Sequence, residues 1–177
     1  MEKERILIAN RGEIAIRIMN ACQELGHEFV VVHTEQDRES MHVRKALDEA
    51  GPAAVYRISN YRDPNEIFSV ADHSGATAIH PGYGFFSENF RFARRADARN
   101  RAITFIGPRW EVIRDLGSKI NTKRVAKELG IPVIPGSDAP IYNEIEAEAL
   151  AEELFLRQRE EGIKRPSILV KASAGGG

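Results

Sequence analysis

Apolar residues recur along the first hundred positions in two alternating rhythms. Runs at 5–9, 29–33, 54–58, 77–80 and 103–106 are short and nearly continuous, as expected of strands covered on both faces. Between them the spacing widens. Ile14, Ile18, Ala21, Cys22 and Leu25 share one face only if the backbone turns every 3.6 residues, which predicts a helix stopping at Gly26. A short helix is predicted at 42–49. Asp63-Pro64 opens another, with proline at its tolerated first position, running through Ile67, Phe68 and Ala71 to Gly75. A fourth is predicted at about 88–100, capped by Ser87. Strand and helix alternate throughout, so the fold class is α/β, a mostly parallel sheet with helices on both faces.

The rhythm changes after Gly107-Pro108. Helices are predicted in succession at 110–116 and 118–129, then a turn segment punctuated by Pro135, Gly136 and Pro140, then a helix at 144–160. The last of these carries Ala147, Leu150, Ala151, Leu154 and Phe155 on one face, with glutamates at its start and Arg157 and Arg159 at its end, a polarity that complements the helix dipole. A strand is predicted at 167–171. The boundary is placed so that 1–120 form one domain and 121–177 begin a second.

Charge narrows the range of partners. With 25 basic and 26 acidic side chains and a net charge of -1, no broad field favours nucleic acid or an anionic membrane, so a phosphate site has to be local. Cys22 is the only cysteine, which excludes an internal disulfide and a multi-cysteine zinc site and suits a reducing cytoplasm; its place among apolar helix positions reads as a small buried hydrophobe. The first apolar run is too short for a signal or a membrane span.

Four segments carry candidate chemistry. Lys171 ends an apolar run immediately before Ala-Ser-Ala and Gly175, Gly176 and Gly177. A loop so nearly bare lets backbone N–H groups close on phosphate oxygens, and the lysine precedes the glycines, the reverse of a Walker loop. The alternative is a flexible glycine tail. Lys119 follows the N-cap Ser118, where the helix dipole disfavours a cation; such a lysine is either a solvated surface group or half of an anion site. Asn10-Arg-Gly-Glu13 lies where the first strand enters the first helix, bordering the crevice of an open parallel sheet, and reads as a capping box in which Asn10 bonds the third helical amide and Glu13 reaches back. His80-Pro-Gly-Tyr-Gly-Phe-Phe-Ser-Glu-Asn89 is a stiff, sparsely decorated loop, either a packed turn or a surface pressed against a ligand; no partner histidine is spaced to make His80 a metal ligand.

Read together, IANRGEIAIRI at 8–18, AIHPGYGFFSEN at 78–89, FIGP at 105–108, LGSK at 116–119, PGSD at 135–138 and VKASAGGG at 170–177 resemble the biotin carboxylase family, in order and over nearly the whole chain. The resemblance implies a Rossmann-like pre-ATP-grasp domain followed by the incomplete start of an ATP-grasp domain. It implies a reaction in which ATP and bicarbonate form carboxyphosphate and the carboxyl group passes to biotin on a carrier protein, with Mg2+ or Mn2+ on the phosphates. By position it assigns Lys119, Lys171 and Gly175, Gly176 and Gly177 to ATP, and Tyr83 and Gly84 to the neighbourhood of the biotin pocket. Arg17, Asn20 and Glu24 fall at positions of a homodimer interface, Asn20 where a basic residue is common.

The same resemblance places the metal-binding glutamates, bicarbonate-binding arginines and general base beyond Gly177. No catalytic or metal-ligating residue is therefore expected in this chain, nor ATP turnover or cofactor binding by the chain alone. Expected partners are a biotin carboxyl carrier protein or domain and a carboxyltransferase. Two departures are visible: 42–50 carries one residue more than the family string it resembles, and the connection from Gly136 to Lys171 is longer. The alternatives are a non-catalytic dimerisation or assembly module and another ATP-grasp ligase.

Overall fold

The computed structural model describes residues 3–98 and 103–171. The chain divides into two compact units, Met1–Ile113 and Arg114–Gly177. In the first, five parallel strands, β1 (Arg5–Ile8), β2 (Glu28–His33), β3 (Val55–Arg57), β4 (Ala78–His80) and β5 (Thr104–Phe105), lie in the order β3-β2-β1-β4-β5. The helices between them are α1 (Gly12–Glu24), α2 (Met41–Ala50), α3 (Pro64–Ser74) and α4 (Phe90–Asp97). The chain winds outward from β1 to β3 and then returns to place β4 on the other side of β1. This reversal puts a switch point between β1 and β4, where the loops leaving the two strand ends diverge.

Alternation along the strands explains why both faces are covered. Leu7, Val30, Val32 and Ile79 point to one side, where Ile67, Phe68 and Ala71 of α3 and Phe92 and Ala96 of α4 pack on them. Ile6, Ile8, Phe29, Val31 and Ala78 point to the other, against Ala15, Ile18, Met19 and Cys22 of α1 and Ala46 of α2. Each fully buried side chain of this size is worth about 1.5–3 kcal/mol. Cys22 is the small buried hydrophobe expected, and burial pushes its thiol pKa up. Leu25, expected on the inner face of α1, is exposed because the helix ends at Glu24 and Leu25 serves as its C-cap; Ala21, also expected there, is exposed too, the buried face being Ala15, Ile18, Met19 and Cys22.

Helix ends were the least legible feature. α3 begins as expected, with the Asp63 carboxylate accepting from the Asn65 amide and Pro64 at the first position. For α4 the cap is Asn89, not Ser87: the Asn89 Oδ1 accepts from the amides of Arg91 and Phe92, while Ser87 is taken up in a turn through its own amide to Gly84 O.

The second unit contains α6 (Lys119–Glu128) and α7 (Glu144–Glu160); α5 (Trp110–Leu116) spans the division. The acidic start and basic end of α7 are as expected, with Asn143 capping through Glu146 N, and Leu150, Ala151, Leu154 and Phe155 are half-buried. The strand expected at 167–171 does not form. Its apolar run is there, but no strand among the described residues ladders with it; Leu169 and Val170 stay exposed, and the Ser167 backbone bonds instead to both ends of the Gln158 amide.

Candidate functional site

The loops that leave β1 and β4 at the switch point meet through one side chain. Asn10, buried at the end of β1, donates from Nδ2 to Pro81 O at 2.7 Å and to Tyr83 O at 2.8 Å, and its Oδ1 accepts from the Arg11 amide at 2.9 Å. The capping box expected here does not form: the N-cap of α1 is Arg11, without a side-chain cap bond, and Glu13 reaches across to accept from the Tyr83 hydroxyl at 3.2 Å. The pattern N-x-x-E is read locally in a sequence, but two carbonyls some seventy positions away accept from Asn10 Nδ2 and so orient the side chain that its Oδ1 meets the Arg11 amide instead of the third helical one.

The 80–85 loop is built to accept this contact. A Cβ on Gly82 would stand 2.7 Å from Asn10 Nδ2, and its φ is +65°, so both space and backbone require glycine. Phe85 sits at φ +40°, a strained value for a residue with a side chain. It is held there by stacking on Tyr61, ring centroids 5.3 Å apart, while Phe86 stacks on Phe92 at 4.0 Å beneath. His80 accepts from the Gly82 amide on Nδ1, which requires the neutral ring, and burial lowers its pKa accordingly. Above this frame Tyr83 and Gly84 are exposed.

A polar cluster beside it secures the start of α1. Asp37 accepts from Thr34 Oγ1 at 3.1 Å and pairs with Arg11 at 3.2 Å. Burial pushes its carboxyl up, but the surrounding donors, among them Arg11 and Thr34, outweigh that and hold the pKa below the ordinary value. The Tyr61 hydroxyl lies buried beside Asp37 without a bond of good geometry, and burial, then the Asp37 charge, pushes its pKa up. His42 faces only an acceptor on one edge, Val32 O at 3.3 Å from Nε2, so the proton sits on Nε2. Nδ1 then accepts from the Gly12 amide at 3.3 Å and from Ser40 Oγ at 2.7 Å. Burial lowers the His42 pKa.

The remaining positions singled out in the sequence are distributed as follows. Arg17, Asn20 and Glu24 lie on one exposed face of α1; the first two, with Gly12, Glu13, Ile16 and Met41, line a shallow hollow of about 460 Å³. Lys119 is the first residue of α6, half-buried, behind Ser118, whose Oγ accepts from Asn121 N. Lys171 is exposed in the irregular segment after α7. Gly175, Gly176 and Gly177 lie outside the described residues. Two lysines that sequence reasoning passed over organise the 135–138 turn: Lys123 Nζ donates to Gly136 O at 2.6 Å and Ser137 O at 2.9 Å, and Lys123 and Lys127 both pair with Asp138. Bonds from Lys127 and then Lys123 hold the Asp138 pKa down. Their i, i+4 spacing was the only available signal. Among the described residues no cluster of three or more His, Cys, Asp or Glu could hold a metal, and no helix is long and apolar enough to cross a membrane.

Residues 2–113 match the family of the biotin carboxylase N-terminal domain. The chain belongs to the biotin carboxylase family. It is 46% identical over 177 residues to a biotin carboxylase of Pseudomonas aeruginosa, covering 98% of this chain and 36% of that protein. To the 2-oxoglutarate carboxylase small subunit of Hydrogenobacter thermophilus it is 42% identical over 174 residues, covering 98% and 34%. The chain therefore spans about a third of the length of these relatives. Among solved structures it is similar to the biotin carboxylase domain dimer of the Hydrogenobacter enzyme, in complex with MgADP, ADP and bicarbonate: TM-score 0.76, 40% identity, 87% of this chain and 33% of that one. The biotin carboxylase subunit of a pyruvate carboxylase follows the same fold, with a TM-score of 0.67 at 41% identity over 86% of this chain and 33% of that one.

Proposed function

We propose that this chain serves as the amino-terminal part of an ATP-dependent biotin carboxylase, in which ATP and bicarbonate carboxylate biotin on a carrier protein. The observation that carries the reading is identity at 42–46% along 98% of the chain to carboxylases of two different kinds. In this reading residues 1–120 are the pre-ATP-grasp domain and 121–177 the opening of the ATP-grasp domain. The ammonium groups of Lys119 and Lys171, with the glycines 175–177, are suited by charge and by bare backbone to the nucleotide's phosphates, and Tyr83 and Gly84 form a wall of the biotin pocket. Bound MgATP supplies the phosphoryl group that activates bicarbonate. The residues of this chain bind and orient; proton transfer and metal ligation fall to the part of such an enzyme that this chain does not match.

A biotin carboxyl carrier protein and a carboxyltransferase are the partners this reaction requires. The exposed α1 face with Arg17, Asn20 and Glu24 supports a second role, assembly of two copies, since the similar Hydrogenobacter domain is a dimer. The test is ATP hydrolysis by the product of the whole gene with and without free biotin. Stimulation by biotin is expected, together with none by the 177-residue chain alone. If the whole product shows no stimulation but sediments as a stable dimer, the assembly role replaces the catalytic one; stimulation by a different acceptor points to another ATP-grasp ligase.

A further inference from the structure

Tyr83 and Gly84 are the exposed crest of a loop whose shape is set by residues outside it. The backbone carbonyls on either side of Gly82, those of Pro81 and Tyr83, both converge on the single Nδ2 of Asn10, a side chain only 3% exposed. The Tyr83 ring, itself 63% exposed, is tethered by its hydroxyl to Glu13 on the first turn of α1. The backbone contact is buried and short, the hydroxyl contact exposed and longer. One can persist while the other opens.

We propose that Asn10 and Glu13 are positioning residues for the biotin-facing loop: Asn10 fixes the backbone of the Tyr83–Gly84 turn, and Glu13 holds the Tyr83 ring in a releasable orientation. This rests on the carboxylase reading above for what the loop faces, and on the described contacts for how it is held. Asn10 has the donor capacity for the first role, because an amide supplies two N–H groups where an aspartate of the same shape supplies none. In Asn10→Asp an oxygen would face the carbonyls at 2.7 and 2.8 Å, turning two attractions into repulsions in a buried site. Glu13 needs only an acceptor, so glutamine replaces it and alanine does not.

Two measurements test this separately. In the 177-residue chain, Asn10→Asp is expected to shift the amide resonances of residues 81–85 while leaving those of Ile67 and Phe68 in place. Glu13→Ala is expected to move the Tyr83 ring resonances, and Glu13→Gln to restore them. In the whole gene product, Asn10→Asp is expected to raise the KM for free biotin about three- to tenfold with the KM for ATP unchanged, the scale of one or two lost hydrogen bonds. Glu13→Ala is expected to have no further effect in a Tyr83→Phe background, since both remove the same contact. Equal changes in both KM values, or resonance shifts spread over α3, would show Asn10 to be only a structural residue and overturn its half. Additive Glu13 and Tyr83 effects would overturn the other. If the unsubstituted whole product shows no response to biotin, the carboxylase reading and the biotin-facing role fall together; the resonances of the chain then decide whether the two residues position the loop at all.

Discussion

In the first unit Leu7, Ile67 and Ile79 are wholly shielded from water, whereas in the second Ile134, Tyr142 and Ile145 each keep 80% or more of their surface exposed. No described residue of α6 or α7 is buried. The first unit is held by long-range packing on both faces of a sheet. Helices of the second are secured by contacts within a few turns: the Asn143 and Ser118 caps, the Arg124–Glu128 and Arg157–Glu161 pairs, and the lysines on Asp138. Such exposed pairs contribute little each, so the two regions should respond very differently to equivalent substitutions.

The largest contrast is expected in the core. Phe68→Ala should cost about 3–5 kcal/mol in denaturant unfolding, while Leu156→Ala, exposed on α7, should stay within about 0.5 kcal/mol. Comparable losses at the two sites would break the distinction. Next comes the loop at the switch point. Gly82→Ala meets both a 2.7 Å contact with Asn10 and a φ of +65°, and should cost about 1–3 kcal/mol in the same measurement; a neutral result would mean the loop is not anchored as described.

These contrasts also show what could be read in the sequence. The central strands β1, β2 and β4 were legible because burial on both faces leaves continuous apolar runs, the partly exposed edge strands β3 and β5 by their place in the alternation with helices, and α1 because only a helical period gathers Ile14, Ile18 and Cys22. The run at 167–171 has the same local signature, but a strand exists only where another backbone completes its ladder, and composition does not reveal that. Asn10 failed for a related reason. Its spacing to Glu13 satisfies a local motif, while its actual partners lie in a loop brought near by the winding of the sheet. The resemblance singles out the exposed Tyr83 and Gly84; nothing in the sequence pointed to the part Asn10 plays behind their loop or to the part His42 plays at the start of α1.

A smaller effect should appear with pH. His42 and His80 are held neutral, with folded pKa values below the ordinary 6.5. As pH falls below about 6.5 the unfolded chain takes up protons that the folded one refuses, so stability declines. It is fully present above that pH. Thermal unfolding of the chain between pH 7.5 and pH 5 should show the decline, with a shallower slope in His42→Gln; an unchanged slope would mean that His42 titrates normally when folded. The smallest effect is expected at Asp138. Asp138→Asn should shift the amide resonances of Gly136 and Ser137, whose carbonyls accept from Lys123, with no shift in the unfolding midpoint of the first unit.

Cys22, the only thiol of the chain, lies on the inner face of α1 with 3% exposure. A reagent can reach it only when α1 lifts from the sheet or the unit unfolds. Its alkylation rate is therefore a clock for that opening, readable by intact mass without any introduced label. With no other cysteine to react, a single mass increment counts the molecules whose sheet has been uncovered, while the second unit remains silent to the reagent.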